Sequence, residues 1–137
     1  MITFNFETPF ELKEKTLLTN WILDVVKAYG FTVEEINYIF CDDAYLHKLN
    51  VDFLQHDTLT DIISFDNTIG KLISGDVFIS VERVADNAKD YKVSFEEELR
   101  RVMIHGVLHY MGFKDKSIPE KTHMTVAEDM ALSMLND

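Results

Sequence analysis

The sequence predicts an α+β fold, one domain in which helices cover a mixed four-stranded sheet. Three observations lead there. The chain has 137 residues, 47% of them hydrophobic, which suits one core. Only two prolines and five glycines occur, and no Ser/Gly-rich stretch, so residues 1–137 read as a single unit without a linker. The hydrophobic period switches between two and about 3.6 along the chain, in the order β-α-β-α-β-β-α-α-α.

Each element has its own signal. Residues 2–8 alternate, with Ile2, Phe4 and Phe6 set against Thr3, Asn5 and Glu7, and predict a strand. From Pro9 onward Leu12, Leu18, Trp21, Ile22, Val25, Val26 and Tyr29 recur at helical spacing, and Gly30 supplies the stop. Residues 34–41 predict a second strand, after which Asp42 or Asp43 caps a short helix to about Leu54. Residues 55–60 are polar and loop-like. The apolar runs 61–66 and 72–80, separated by Asn67–Lys71 with Gly70 available for a turn, predict a hairpin. Residues 81–92 are charged at helical spacing and predict an exposed helix. Ser94 stands three residues ahead of Glu97 as a capping box for a helix to about Met111, which Gly112 ends. Ser117-Ile-Pro-Glu120 starts a last helix with Met124, Ala127, Met130, Ala131 and Met134 on one face, read as core filling.

Charge and cysteine usage narrow the classes. The net charge of −11 argues against a protein that coats nucleic acid with its whole surface. The N-terminus lacks a basic start followed by an apolar run, no apolar stretch is long enough to span a bilayer, and the lone Cys41 has no internal partner; together these predict a cytoplasmic protein with no membrane partner.

The chemistry concentrates in His105-Gly-Val-Leu-His109-Tyr-Met-Gly112-Phe-Lys-Asp115, on the long helix and the turn that ends it. Histidines four apart on a helix point about 40° apart, one turn above the other, and can hold one ion. Gly112 breaks the helix and returns Asp115 toward them. Three protein ligands leave a coordination position open, the pattern of a catalytic centre, and make zinc the expected divalent ion; nickel, manganese and iron stay open because a carboxylate is a harder ligand. Zinc peptidases of this spacing place a glutamate directly after the first histidine. Here that residue is Gly106, and Glu98, two turns earlier, is too far along the axis to replace it.

With Gly106 in place the motif resembles that of the YbeY family of bacterial metal-dependent endoribonucleases, whose pattern is His-Gly-x-Leu-His-x-x-Gly-Tyr-Asp-His. Thr60-Asp61-Ile-Ile-Ser64-Phe65 is similar to the family's Thr-Asp-Val-Leu-Ser-Phe segment, Gly75-Asp76-Val-Phe-Ile-Ser80 to its Gly-Asp-Ile-x-Ile-Ser strand, and Asn50 matches the asparagine that ends the short helix. The likeness spans roughly residues 45–130. Two departures stand out: Asp115 replaces the third histidine, with Lys114 in place of the preceding aspartate, and Leu54 falls where the family usually has an arginine, with His56 nearby. The resemblance implies cleavage of single-stranded RNA in maturation of the 16S rRNA 3′ end and in ribosome quality control. It implies RNA and the small ribosomal subunit as partners, and no DNA.

Within that expectation His105, His109 and Asp115 hold the metal, and Arg100, Arg101, Lys114 and Lys116 are candidates to steer the phosphate backbone. Ser64 and Asp61 either line the cleft or serve strand structure and turn capping. No general base is assigned. Two other readings remain open from the residues alone: a ribosome-associated binding module whose metal braces the fold, and a metal-dependent hydrolase of a non-RNA substrate.

Overall fold

The computed structural model describes residues 1–56 and 58–135. Asp57, in the expected polar loop, and residues 136–137 of the expected domain lie outside the described residues. Among the described residues nine elements follow one another: β1 (Ile2–Phe6), α1 (Lys15–Ala28), β2 (Thr32–Cys41), α2 (Asp43–Leu54), β3 (Ile62–Asp66), β4 (Leu72–Ser80), α3 (Val81–Tyr91), α4 (Phe95–Tyr110) and α5 (Ile118–Leu135). The order is the one that the periodicity predicts.

The sheet runs β1-β2-β4-β3. β1 and β4 lie parallel to β2 on either side, and β3 turns back antiparallel on β4. The parallel pairs need crossovers, which α1 and α2 supply, while the β3–β4 pair closes through the short turn containing Gly70. Strand alternation then divides the side chains between two layers. Ile36, Tyr38, Phe40, Ile73, Val77 and Ile79 face the main core with α1, α4 and α5 residues. Cys41, Ile63, Phe65 and Phe78 face Leu46 and Leu49 of α2 on the other side. On β3, therefore, Ile62 and Ser64 point to the same side as α4.

Helix α4 is fastened closely to the sheet. A Cβ at Gly106 would stand 3.1 Å from Ile62 Cδ1 and 3.3 Å from Val77 Cγ1, so the missing side chain lets the helix approach. The buried Tyr38 hydroxyl donates to the Met103 carbonyl at 2.9 Å, pinning β2 to the same helix. Helix α5 is tied to α1 by the Trp21 indole N–H, which donates to the Ala131 carbonyl at 2.7 Å.

Several expected boundaries move. Helix α1 begins at Lys15, not near Pro9. Glu14 adopts a left-handed conformation (φ 59°), and Phe10 and Leu12 pack into the core from the preceding loop. Apolar spacing cannot distinguish such a loop from a first helical turn. The last helix buries Met124, Ala127, Glu128 and Ala131, while Met130 and Met134 are exposed. Met130 stands about 100° around the helix from Ala131, which takes it off the buried stripe. Helix α3 is amphipathic, with Val84 and Ala88 buried.

Candidate metal centre

Helix α4 starts where Ser94 Oγ accepts the Glu97 amide proton at 3.1 Å, with three glutamates in its first turn. Sixteen residues later it ends in a Schellman turn. The Phe113 amide donates to the Leu108 carbonyl at 3.0 Å, and the Gly112 amide to the His109 carbonyl at 3.0 Å. Gly112 has φ 100°, where an L side chain is strained. This turn does two things for the site. It brings the Phe113 carbonyl to the His109 ring, and it returns Asp115 to the end of the helix.

Three ligand atoms meet there. His105 Nε2 and His109 Nε2 are 3.0 Å apart, and Asp115 Oδ2 lies 3.2 Å from the first and 3.3 Å from the second. A tetrahedral ion with ligands at about 2.0–2.1 Å would set its donor atoms about 3.3–3.4 Å apart, so the spacing already fits one ion.

The outer nitrogens decide which ring atoms are free. His109 Nδ1 is 2.9 Å from the Phe113 carbonyl, which can only accept, so Nδ1 carries the proton. His105 Nδ1 donates to Glu128 Oε2 at 2.6 Å. Both neutral rings therefore direct the Nε2 lone pair inward, toward each other and toward a carboxylate oxygen. Three converging lone pairs call for a cation, and these residues fit a divalent metal. Burial works against a charged His105 ring, but the hydrogen bond and charge of Glu128, with the charges of Asp115 and Asp61, outweigh it and raise the pKa above the ordinary value. The same surroundings that favour a proton on His105 favour a metal ion.

The three residues lie in a cleft of about 660 Å³ that Asp61, Ser64, Glu98, Arg101 and Glu128 also line. Among the described residues four carboxylates and one guanidinium thus line the cleft. Glu98 is buried, and desolvation pushes its carboxyl up to about 7, helped by the Asp61 charge and opposed by Arg101. Burial raises Asp61 likewise, against the His105 charge and the Asn87 amide 3.3 Å away.

The residues expected to steer a backbone fall in different places. Arg101 reaches the cleft, where it binds Glu128 at 2.9 Å and Asp129 at 2.6 Å. Arg100, one position earlier and about 100° around the helix, turns away and pairs with Glu14 at 2.8 Å. Lys114 lines an adjoining hollow with Ser64 and His109, whereas Lys116 lines neither. Leu54 ends α2, outside the cleft lining. Cys41 is buried, and its thiol is pushed up to about 12 by burial, so it stays a protonated core residue.

Sequence reasoning does not find Glu128. The available signal is a carboxylate in the middle of the buried stripe Met124–Ala127–Ala131, where a charge needs a partner.

The chain is similar to known proteins over nearly its whole length. The sequence model of the family described as endoribonuclease YbeY matches residues 3–136. Curated relatives that carry that name include one from Flavobacterium johnsoniae, 57% identical over 99% of this chain and 98% of its own length. One from Flavobacterium psychrophilum is 54% identical over 99% and 97%, and one from Christiangramia forsetii 45% identical over 98% and 94%. A solution structure from Thermotoga maritima has the same fold, with a TM-score of 0.70, 24% identity and coverage of 98% of this chain and 89% of that one.

Proposed function

This chain belongs to the endoribonuclease YbeY family, and on that premise we propose that it is a metal-dependent endoribonuclease that cuts single-stranded RNA in maturation of the 16S rRNA 3′ end and in ribosome quality control. The observation that carries the metal part of the reading is the convergence of three lone pairs, from His105, His109 and Asp115, within 3.3 Å. Zinc is the favoured ion, since two imidazoles and one carboxylate with an open position suit it; nickel, manganese and iron follow. A bound divalent ion supplies Lewis acidity at the phosphate and offsets the charge that develops there.

The protein's own residues do the rest. Asp115 contributes a negative charge to the centre where an imidazole would be neutral. Arg101 is the guanidinium of the cleft and presents the donors not taken by Glu128 and Asp129 to a phosphate. Ser64 and Asp61 line the strand side of the cleft, and Lys114 flanks it. Arg100 and Lys116 act only at longer range. The partners in this reading are RNA and the small ribosomal subunit, and the compartment is the cytoplasm. Among the described residues no helix is long and apolar enough to cross a membrane.

The test is to incubate the metal-loaded protein with single-stranded rRNA 3′-end fragments beside His109→Ala. The wild type should give discrete products and the variant should lose at least about a hundredfold in rate, the scale of losing metal catalysis. Equal cleavage by both preparations would assign the activity to a contaminant and sink the reading.

A further inference from the structure

We propose that Glu128 is a positioning residue of the metal centre, its carboxylate locked between Arg101 and His105 so that the His105 ring offers Nε2, not Nδ1, to the ion. The inference rests on the metal reading given above.

A neutral imidazole has two tautomers, and a ring that can turn over can present either nitrogen. His109 is settled by a backbone carbonyl, because the Schellman turn leaves Phe113 O 2.9 Å from its Nδ1. His105 sits one turn earlier, where the helix carbonyls are occupied by the helix itself, so its orienting acceptor has to come from elsewhere. Glu128 supplies it across the α4–α5 contact at 2.6 Å, a charge-assisted distance.

The carboxylate is itself restrained. Its Oε2 takes the His105 proton, and its Oε1 takes Arg101 Nη1 at 2.9 Å. Arg101 uses its second terminal nitrogen on Asp129 at 2.6 Å. Glu128 is 7% exposed, so neither oxygen has ready access to water as a substitute partner. Asp129, Arg101, Glu128 and His105 thus form one chain of hydrogen bonds that ends on Nδ1 of a ligand ring, the nitrogen opposite the one offered to the ion. A carboxylate behind an imidazole also makes it a stronger donor to a cation than a carbonyl does. The two histidines are therefore unequal, and α5, which contributes no ligand, belongs to the centre through this residue.

The alternative is that Glu128 and Arg101 merely tie α5 to α4. Zinc affinity, measured by competition with a chromogenic chelator, separates the two. Glu128→Gln is nearly isosteric, but its amide can either accept from Nδ1 or donate to it, so the tautomer preference is lost. Its zinc affinity should fall about tenfold to a hundredfold, the usual cost of losing such an outer partner. Trp21→Phe loosens α5 by removing the indole hydrogen bond to Ala131 and leaves Asp129, Arg101 and Glu128 in place, so its affinity should stay within about twofold of wild type. In zinc-loaded wild type, imidazole nitrogen NMR should show the metal on Nε2 of His105 and a protected, downfield Nδ1 proton that Glu128→Gln lacks.

Wild-type affinity in Glu128→Gln would overturn the proposal while leaving the metal reading intact. Absence of zinc binding by the wild type would remove the metal reading and this proposal with it. If Glu128→Gln does not fold, the wild-type spectrum decides, since zinc on Nδ1 of His105 contradicts the assignment.

Discussion

Gly112 and Glu98 show how single residues carry site geometry and its cost. Gly112 sits at φ 100° in the turn that hands Phe113 O to His109 and Asp115 to both rings. Its Cβ would meet nothing, so a substitution strains the backbone without a clash. Gly112→Ala should cost about 1–2 kcal/mol by chemical denaturation, the price of a left-handed L residue, and should weaken zinc binding as well. Glu98 makes a different prediction. Its carboxyl is raised to about 7 in the fold, against 4.5 for an unperturbed glutamate. Between those values the unfolded chain has released the proton and the folded chain keeps it, so stability falls as pH rises through that window and levels off above it. The melting temperature of metal-free wild type should drop by several degrees between pH 4.5 and 7, and Glu98→Gln should remove a part of that drop. Parallel profiles for the two proteins, followed by circular dichroism, would show that Glu98 titrates normally.

At the scale of elements, α4 and α5 divide the work differently and were unequally readable. The α4 site is legible because its parts are local: helix geometry sets the relation of His105 to His109, and one glycine sets the turn. Gly106 is legible as the absence of a peptidase glutamate, but its second reason, contact with Ile62 and Val77, needs the tertiary approach of helix to sheet. Glu128 is hidden because its partner is 23 positions away and depends on how α5 packs on α4. Arg100 and Arg101 cannot be ranked from their adjacency, since only the helix's rotation sends one to the cleft and the other to Glu14. The entry to α5 is legible and complete. Ser117 Oγ accepts from the Glu120 amide at 3.2 Å, and Glu120 Oε1 accepts from the Ser117 amide at 2.8 Å. Ser117→Ala should therefore cost about 1 kcal/mol in urea denaturation. An unchanged urea midpoint would show that this cap adds nothing to the helix.

For the whole molecule the governing quantity is charge. The chain carries −11, and the cleft itself is lined by Asp61, Glu98, Asp115 and Glu128 against Arg101. A polyanion approaching that cleft is repelled unless a divalent ion is seated, so metal loading should act on RNA binding as well as on cleavage. Loading should also stabilise the fold, by about 2.7 kcal/mol at a hundredfold excess over Kd, and chelation should reverse this in a thermal melt. Salt dependence gives a sharper measure of how the RNA is held. Each phosphate neutralised on a single strand contributes about −0.7 to the slope of log affinity against log salt. Among the described residues the cleft has one arginine, already engaged by two carboxylates, with Lys114 at its edge. Zinc-loaded His109-intact protein should therefore bind a labelled single strand with a slope of about −1 to −2 between 50 and 200 mM KCl, read by fluorescence anisotropy. Arg101→Gln should reduce that slope by close to one contact's worth, whereas Arg100→Gln, which breaks only the pair with Glu14, should leave it unchanged. A steep slope of about −5 or beyond would require a broad basic surface and would contradict the view that the ion and Arg101 carry the phosphate contact.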